Sequence, residues 1–260
     1  MMSGGSSVDA RTVSSALSMQ GIRWVKEKSS GVRAVLFDYD DTLEDVGEGK
    51  IRAKRAVATR VVGLAAEGDT DKVVKLIDQI EIEMDRAGQF DKDKWWIGLL
   101  RMLHVEPDAA TAKGLTSVYY SELMQYSRPF PDVAETLGHL KSRGLKLGLV
   151  TNTDMTPGMK KLRLKRSGIQ MNNFDVVVIA GEDTVEIKPN RAPFIFALDK
   201  LRIEGPRSIY VGDKAYADVG GARAAGMWTA LVKRNGSSDA SVGDPEPDVY
   251  LASLSDLMAL

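Results

Sequence analysis

The sequence predicts an α/β fold in which a parallel sheet is interrupted by a long helical insertion. Two observations support this prediction. Short apolar runs of strand length alternate with amphipathic helical segments from residue 131 onward, and one similar run precedes them at residues 32–37. Between these parts, from about residue 50 to 126, the apolar residues show helical spacing only. We therefore expect the two outer parts to form one domain and the insertion to form a second.

The elements follow one another in a simple order. Residues 1–30 are interpreted as an N-terminal extension with a helix near 8–28, and the insertion is expected to hold four helices. After it, the predicted helices cover residues 131–143, 159–167, 192–201, 218–225 and 254–260. The predicted strands cover residues 32–37, 145–150, 174–180, 208–211 and 228–232.

Composition restricts the classes of function. The 260 residues are 43% hydrophobic and 27% charged, and the net charge is −1. Because charges of both signs are interspersed, we expect no nucleic-acid partner, and no apolar run is long enough to predict a membrane span. Cysteine is absent, which excludes disulfides and thiolate metal ligands. No signal-peptide pattern is found, so a cytoplasmic location is expected.

Polar residues with related chemistry follow several of the predicted strands. They are Asp38, Asp40, Thr151, Asn152, Lys188, Asp213 and Asp218. Because the carboxyl ends of parallel strands share one edge of a sheet, we expect these groups to converge. Taken singly, each has an ordinary structural explanation, such as a helix cap for Thr151-Asn152 or a surface position for Lys188. Their shared position after strands favours a functional site.

This set of residue types suits phosphoryl transfer. A carboxylate can attack phosphorus and carry the phosphoryl group, and carboxylate oxygens are suitable ligands for Mg²⁺. A hydroxyl group and a lysine can hold the remaining phosphate oxygens. A second carboxylate, two residues after the first, can protonate the leaving group and later activate water.

The chain resembles the haloacid dehalogenase-like (HAD) superfamily of phosphohydrolases in four motifs. These are DxDxT at residues 38–42, the strand LGLVTN with Thr151, Lys188 in EIKPN, and GDxxxxD at residues 212–218. The insertion resembles the helical cap of the phosphoglycolate phosphatase-like subgroup. The resemblance implies a Rossmann-like parallel sheet in spatial order 3-2-1-4-5. It also implies a core domain of residues 31–43 and 128–260, and a helical cap domain of residues 44–127.

The resemblance further implies a role for each residue. Asp38 would be the nucleophile and a metal ligand, and Asp40 would be the general acid/base and offer its backbone carbonyl to the metal. Lys188 would be a catalytic residue that also binds the phosphoryl group, together with Thr151 and the nearby Asn152. Asp213 would bind the metal, and Asp218 would either bind it or orient it through water.

The function expected from this resemblance is a Mg²⁺-dependent phosphatase that hydrolyses small phosphomonoesters through a phosphoaspartate intermediate. Its partner would be a small phosphorylated metabolite, and the protein would be a monomer or a homodimer. A phosphomutase, a phosphonate hydrolase and a non-catalytic binding protein on the same scaffold remain as alternatives. A dehalogenase is a weaker alternative, because the dehalogenases of this superfamily lack the second aspartate of the first motif and the acidic metal cluster.

Overall fold

The computed structural model describes residues 10–65, 68–234 and 242–260. In chain order, the helices are α1 (Ala10–Lys28), α2 (Gly47–Val62), α3 (Thr70–Arg86), α4 (Lys92–Met102), α5 (Ala109–Tyr126), α6 (Val133–Ser142), α7 (Met159–Arg166), α8 (Ala192–Leu201) and α9 (Gly220–Ala224). The strands are β1 (Ala34–Phe37), β2 (Glu44–Asp45), β3 (Arg128–Pro129), β4 (Lys146–Asn152), β5 (Val176–Ala180), β6 (Ser208–Gly212), β7 (Trp228–Val232) and β8 (Val249–Leu251). None of the helices in these ranges combines the length and apolarity needed to cross a bilayer.

The chain folds into two compact units. Among the described residues, the first comprises residues 10–43, 130–151, 172–234 and 242–260, and the second comprises residues 44–65, 68–129 and 152–171. The first unit contains the described part of the predicted N-terminal extension, and residues 128–129 and 152–171, which the sequence predicted in the core domain, group with the second unit.

Residues 152–171 are held together by buried ion pairs and contact the rest of the second unit through Tyr120 and through Glu44, which lies 3.9 Å from Arg163. Asp154 accepts hydrogen bonds from Arg163 of α7 at 2.9 Å and forms a salt bridge with Lys160 at 3.0 Å. The hydroxyl of Tyr120, in α5, donates to the backbone carbonyl of Asp154 at 3.5 Å. Lys160 and Arg163 of α7 are buried, whereas Lys161, Lys165 and Arg166 of the same helix are exposed.

The first unit contains the six-stranded sheet, whose strand order is β5-β4-β1-β6-β7-β8. The pairs of β1 with β4 and with β6 are parallel, as are those of β6 with β7 and of β7 with β8. The α/β prediction and the predicted order are therefore confirmed, with β8 added as a sixth strand. β8 has only three residues, and a run this short has no recognisable periodicity.

The central position of β1 follows from its composition. All four of its residues, AVLF, are buried, as expected for a strand covered on both faces. Phe37 pairs with Leu149 of β4 and with Val211 of β6. The carboxyl ends of these three neighbouring strands therefore lie at the same edge of the sheet.

The N-terminal helix α1 is an integrated part of the first unit. The hydroxyl of Ser18 donates to Asp256 at 2.6 Å, and the ring of Trp24 packs edge-on against Trp228 with ring centroids 6.1 Å apart. A Cβ at Gly21 would lie 3.3 Å from the carbonyl oxygen of Tyr250 in β8, so the helix approaches this strand closely. The predicted helix of the extension is thus present from residue 10, and the rest of that prediction lies outside the described residues.

The second unit is built from α2 to α5 and α7. Asp69, Asp91 and Asp108 precede α3, α4 and α5, and each side chain accepts backbone N–H groups of the first helical turn. The helices bury a shared apolar core that includes Trp95 and Trp96. Strands β2 and β3 pair antiparallel in this unit, where the ends of the helical segment meet.

Candidate active site

Residues that follow three adjacent strands come together at the carboxyl edge of the sheet. Asp38 directly follows β1, and its backbone N–H donates to the carbonyl of Val211 at 2.9 Å. Asp213 directly follows β6, while Thr151 lies within β4 and is 2% exposed. The pairing of β1 with β4 and β6 therefore places these residues at one edge, as the sequence predicted.

A buried lysine links two of the aspartates. Lys188 Nζ lies 2.6 Å from Asp38 Oδ1 and 2.7 Å from Asp218 Oδ1. The lysine is 4% exposed, and the two aspartates are 7% and 1% exposed. Because charges are seldom buried without partners, this triad accounts for how the three side chains are accommodated inside the protein.

Three carboxylates form a compact acidic cluster. One oxygen each of Asp38, Asp213 and Asp218 lies within 4.8 Å of the others. Burial raises the pKa of Asp38 to about 6, Lys188 acts to lower it, and the charge of Asp218 raises it further. Burial and the charge of Asp38 hold the pKa of Asp213 well above its usual range. A divalent cation would relieve this repulsion, and hard carboxylate oxygens are the ligands that Mg²⁺ prefers.

Asp218 is tightly held by groups of the chain itself. Its Oδ1 accepts from Lys188, and its Oδ2 accepts from the backbone N–H of Lys214 at 3.0 Å. It lies in a π-helical turn formed by Ala215–Val219. A Cβ at Gly212 would overlap the carboxylate of Asp218, so this approach requires glycine at that position.

The other predicted residues occupy different places. Asp40 is half-buried, and its charge is among those that raise the pKa of Asp38. Thr42, the last residue of the first motif, donates from its hydroxyl to Asp213 Oδ1 at 3.4 Å. Asn152 is the last residue of β4 and is grouped with the second unit. The structure thus brings Asp38, Lys188, Asp213 and Asp218 into one cluster. Thr151 lies at the same carboxyl edge of the sheet, on the neighbouring strand β4.

Two residues that contact this region were missed by the sequence analysis. Tyr210 accepts a hydrogen bond from Lys188 at 3.0 Å, and Arg234 donates to the carbonyl of Thr42 at 2.9 Å. Arg234 also donates to both carboxylate oxygens of Asp132, at 2.8 and 3.0 Å. Tyr210 is part of the apolar strand SIYVG, where a tyrosine is interpreted as a core residue. Arg234 follows β7 and belongs to none of the four motifs, so nothing in the sequence indicates that it contacts this region.

Comparisons with known proteins show the family to which the chain belongs. Residues 32–226 match the family model of the haloacid dehalogenase-like hydrolases. A glyceraldehyde 3-phosphate phosphatase of Methanopyrus kandleri is 32% identical over 212 residues, which cover 80% of this chain and 87% of the relative. A phosphoglycolate phosphatase of Yersinia pestis is 30% identical over 232 residues, which cover 89% of this chain and 94% of the relative.

A solved structure shares the same architecture. The crystal structure of a HAD phosphatase from Thermococcus onnurineus superposes with a TM-score of 0.64 at 26% identity, covering 87% of this chain and 96% of the other. The family match extends over the strands that carry all the predicted site residues. The resemblance noted from the four motifs is confirmed, and the chain belongs to the haloacid dehalogenase-like hydrolase family.

Proposed function

We propose that this protein is a Mg²⁺-dependent phosphatase that hydrolyses small phosphomonoesters through a phosphoaspartate on Asp38. The observation that carries the proposal is the buried Asp38 carboxylate, which lies 2.6 Å from Lys188 within a cluster of three carboxylates. Two of the relatives are named as phosphatases of small phosphorylated compounds, which supports the same reaction class.

In the first step, a carboxylate oxygen of Asp38 attacks the phosphorus atom. The bond between phosphorus and the leaving oxygen breaks, and Asp40 gives its proton to that oxygen. Asp38 must be ionised to attack, and the positive charge of Lys188 acts to lower its pKa and so favours the ionised form. Lys188 places its positive charge beside the nucleophile, where it can also neutralise oxygens of the transferring group.

In the second step, water hydrolyses the phosphoaspartate. Asp40, now ionised, accepts a proton from the water as the water oxygen bonds to phosphorus. The bond between phosphorus and Asp38 breaks, and inorganic phosphate leaves. Thr151 and Asn152 are the proposed hydrogen-bond donors to the phosphoryl oxygens in both steps.

The metal proposed here fits the donor set of the site. Mg²⁺ would be held by the carboxylates of Asp38 and Asp213 and by the backbone carbonyl of Asp40. When bound, it would neutralise charge on the phosphoryl oxygens. Asp218 has both carboxylate oxygens engaged by Lys188 and Lys214, so we assign it to orienting the site rather than to direct coordination.

A panel of substrates tests this proposal against its alternatives. Purified protein with Mg²⁺ is incubated with small phosphomonoesters, a phosphonate and a phosphopeptide, and free phosphate and isomerised products are measured. We expect phosphate release from phosphoglycolate, glycerol phosphate or sugar phosphates, with kcat/KM at least about tenfold above that for the phosphopeptide, a difference of about 1.4 kcal/mol in transition-state binding.

The other outcomes separate the alternatives. Isomerised sugar phosphate without phosphate release would indicate a phosphomutase, and release from the phosphonate alone would indicate a phosphonate hydrolase. Binding without any turnover would support a non-catalytic protein. An Asp38→Asn variant controls for contaminating phosphatases, because its preparation should release no phosphate from any compound.

A further inference from the structure

We propose that the hydroxyl of Tyr210 is a positioning group that sets the orientation of the Lys188 ammonium. This inference rests on the proposed function, in which Lys188 acts on the phosphoryl group. Tyr210 does not itself contact substrate in this proposal; it acts through the lysine.

The ring of Tyr210 is held rigidly. The residue is 1% exposed in the middle of β6, between neighbours that are also buried. Its ring packs edge-on against Phe194 of α8, with ring centroids 4.8 Å apart and an interplanar angle of 82°. Because the ring cannot shift without displacing this packing, the position of its hydroxyl is defined by the core of the first unit.

The partners of the hydroxyl determine where its proton lies. An ammonium can only donate and a backbone carbonyl can only accept. The Tyr210 hydroxyl therefore accepts from Lys188 Nζ at 3.0 Å and donates to the carbonyl of Val150 at 2.8 Å. Asp218 Oδ1, at 3.4 Å, is too distant to compete well for the proton.

The hydrogen bond from Lys188 to the Tyr210 hydroxyl is the third contact of an ammonium that also binds two carboxylates. An ammonium has three N–H donors, and Lys188 Nζ lies within hydrogen-bond distance of Asp38, Asp218 and the Tyr210 hydroxyl. Without the hydroxyl, one N–H of the buried ammonium loses its acceptor, and the Lys188 ammonium is held only by its contacts with the two carboxylates. The positive charge of Lys188 would then no longer be held in the position where we expect it to meet the phosphoryl group.

The same hydroxyl also connects two strands of the sheet. Val150, whose carbonyl it binds, immediately precedes Thr151 in β4. One phenol group thus links the lysine to the backbone that carries the other proposed phosphoryl-binding residue. Its loss would loosen both groups together.

A conservative substitution tests the inference. Tyr210→Phe keeps the ring and removes only the hydroxyl, and Tyr250→Phe is the matched control, since it removes a hydroxyl that binds Glu246 at 2.7 Å in an exposed position. We expect kcat/KM to fall about 10- to 100-fold in Tyr210→Phe, mostly through kcat, the range of a lost hydrogen bond to a charged group. The control should match the wild type. Circular dichroism verifies that both variants are folded.

A double-mutant cycle distinguishes positioning from a general structural effect. Binding of inorganic phosphate in the presence of Mg²⁺ is measured by calorimetry for the wild type, Tyr210→Phe, Lys188→Met and the double variant, with Lys188→Arg as a second background. We expect Tyr210→Phe to weaken phosphate binding only when Lys188 is present. Equal weakening with and without the lysine, or an unchanged kcat in Tyr210→Phe, would overturn the inference. A wild-type protein that hydrolyses no phosphomonoester would reject the proposed function instead, and the binding cycle would still decide the role of Tyr210.

Discussion

Replacing Lys92 by methionine is expected to stabilise the second unit. Lys92 begins α4, is 7% exposed, and has its ammonium 3.1 Å from the ring centre of Trp95. Burial lowers the pKa of Lys92 from 10.5 to about 7, although Glu81 and Asp154 act in the opposite direction. That fall corresponds to about 5 kcal/mol of penalty for the charged form. Because the folded chain can release this proton, the net penalty at pH 7 is slightly smaller, and Lys92→Met should gain up to about 4 kcal/mol at pH 7.

The pH dependence gives this prediction a second, independent readout. Between pH 7 and 10.5 the unfolded chain holds the Lys92 proton and the folded chain does not, so the stability of the wild type rises with pH by up to about 1.4 kcal/mol per unit. The methionine variant lacks this contribution, and the difference between the two proteins should shrink as the pH rises.

Urea unfolding followed by tryptophan fluorescence at pH 7, 8 and 9 measures both effects. Lys94→Met is the matched control, because Lys94 lies in the same helix with its side chain 64% exposed, and it should change the free energy of unfolding by less than about 0.5 kcal/mol. A Lys92→Met variant less stable than the wild type at pH 7, or a difference independent of pH, would refute the reasoning.

Three further predictions concern the proposed site. Asp38→Asn should abolish turnover without altering the circular dichroism spectrum, and Asp40→Asn should reduce kcat about 10²–10⁴-fold; near-wild-type rates in either would contradict the assigned roles. Activity should require Mg²⁺ and be poorly supported by Ca²⁺, which takes more ligands at longer distances; full phosphate release in excess EDTA would reject the metal. Gly212→Ala should cost about 1–3 kcal/mol of stability through its clash with Asp218, and an unchanged melting temperature would disprove that clash.

The sequence predicted those parts of the protein that depend on local pattern. The strand β1 ends in a motif whose aspartates follow it directly, and parallel pairing then places Asp38 and Asp213 at one edge of the sheet. The helices of the insertion were recognisable because their apolar residues recur at helical spacing and an aspartate precedes three of them.

The sequence did not predict contacts between polar residues far apart in the chain. Tyr210 lies in an apolar strand, and nothing local indicates that its hydroxyl meets a lysine 22 residues away. Likewise, five of the eight residues of α7 are basic, a composition typical of an exposed helix. Lys160 and Arg163 of this helix are nevertheless buried against Asp154. Side-chain pairing of this kind depends on the assembled fold and leaves no periodic trace in the sequence.

The docking of α1 beside β8 covers one edge of the sheet. β8 is the last strand of the sheet in the described part of the chain, and an open strand edge is a template for pairing with another molecule. The close approach of Gly21 to the Tyr250 carbonyl covers this edge with a helix. A shortened protein beginning at Gly31 would expose the backbone of β8 together with the indole of Trp228, and we expect it to aggregate even though the proposed site residues would all be present.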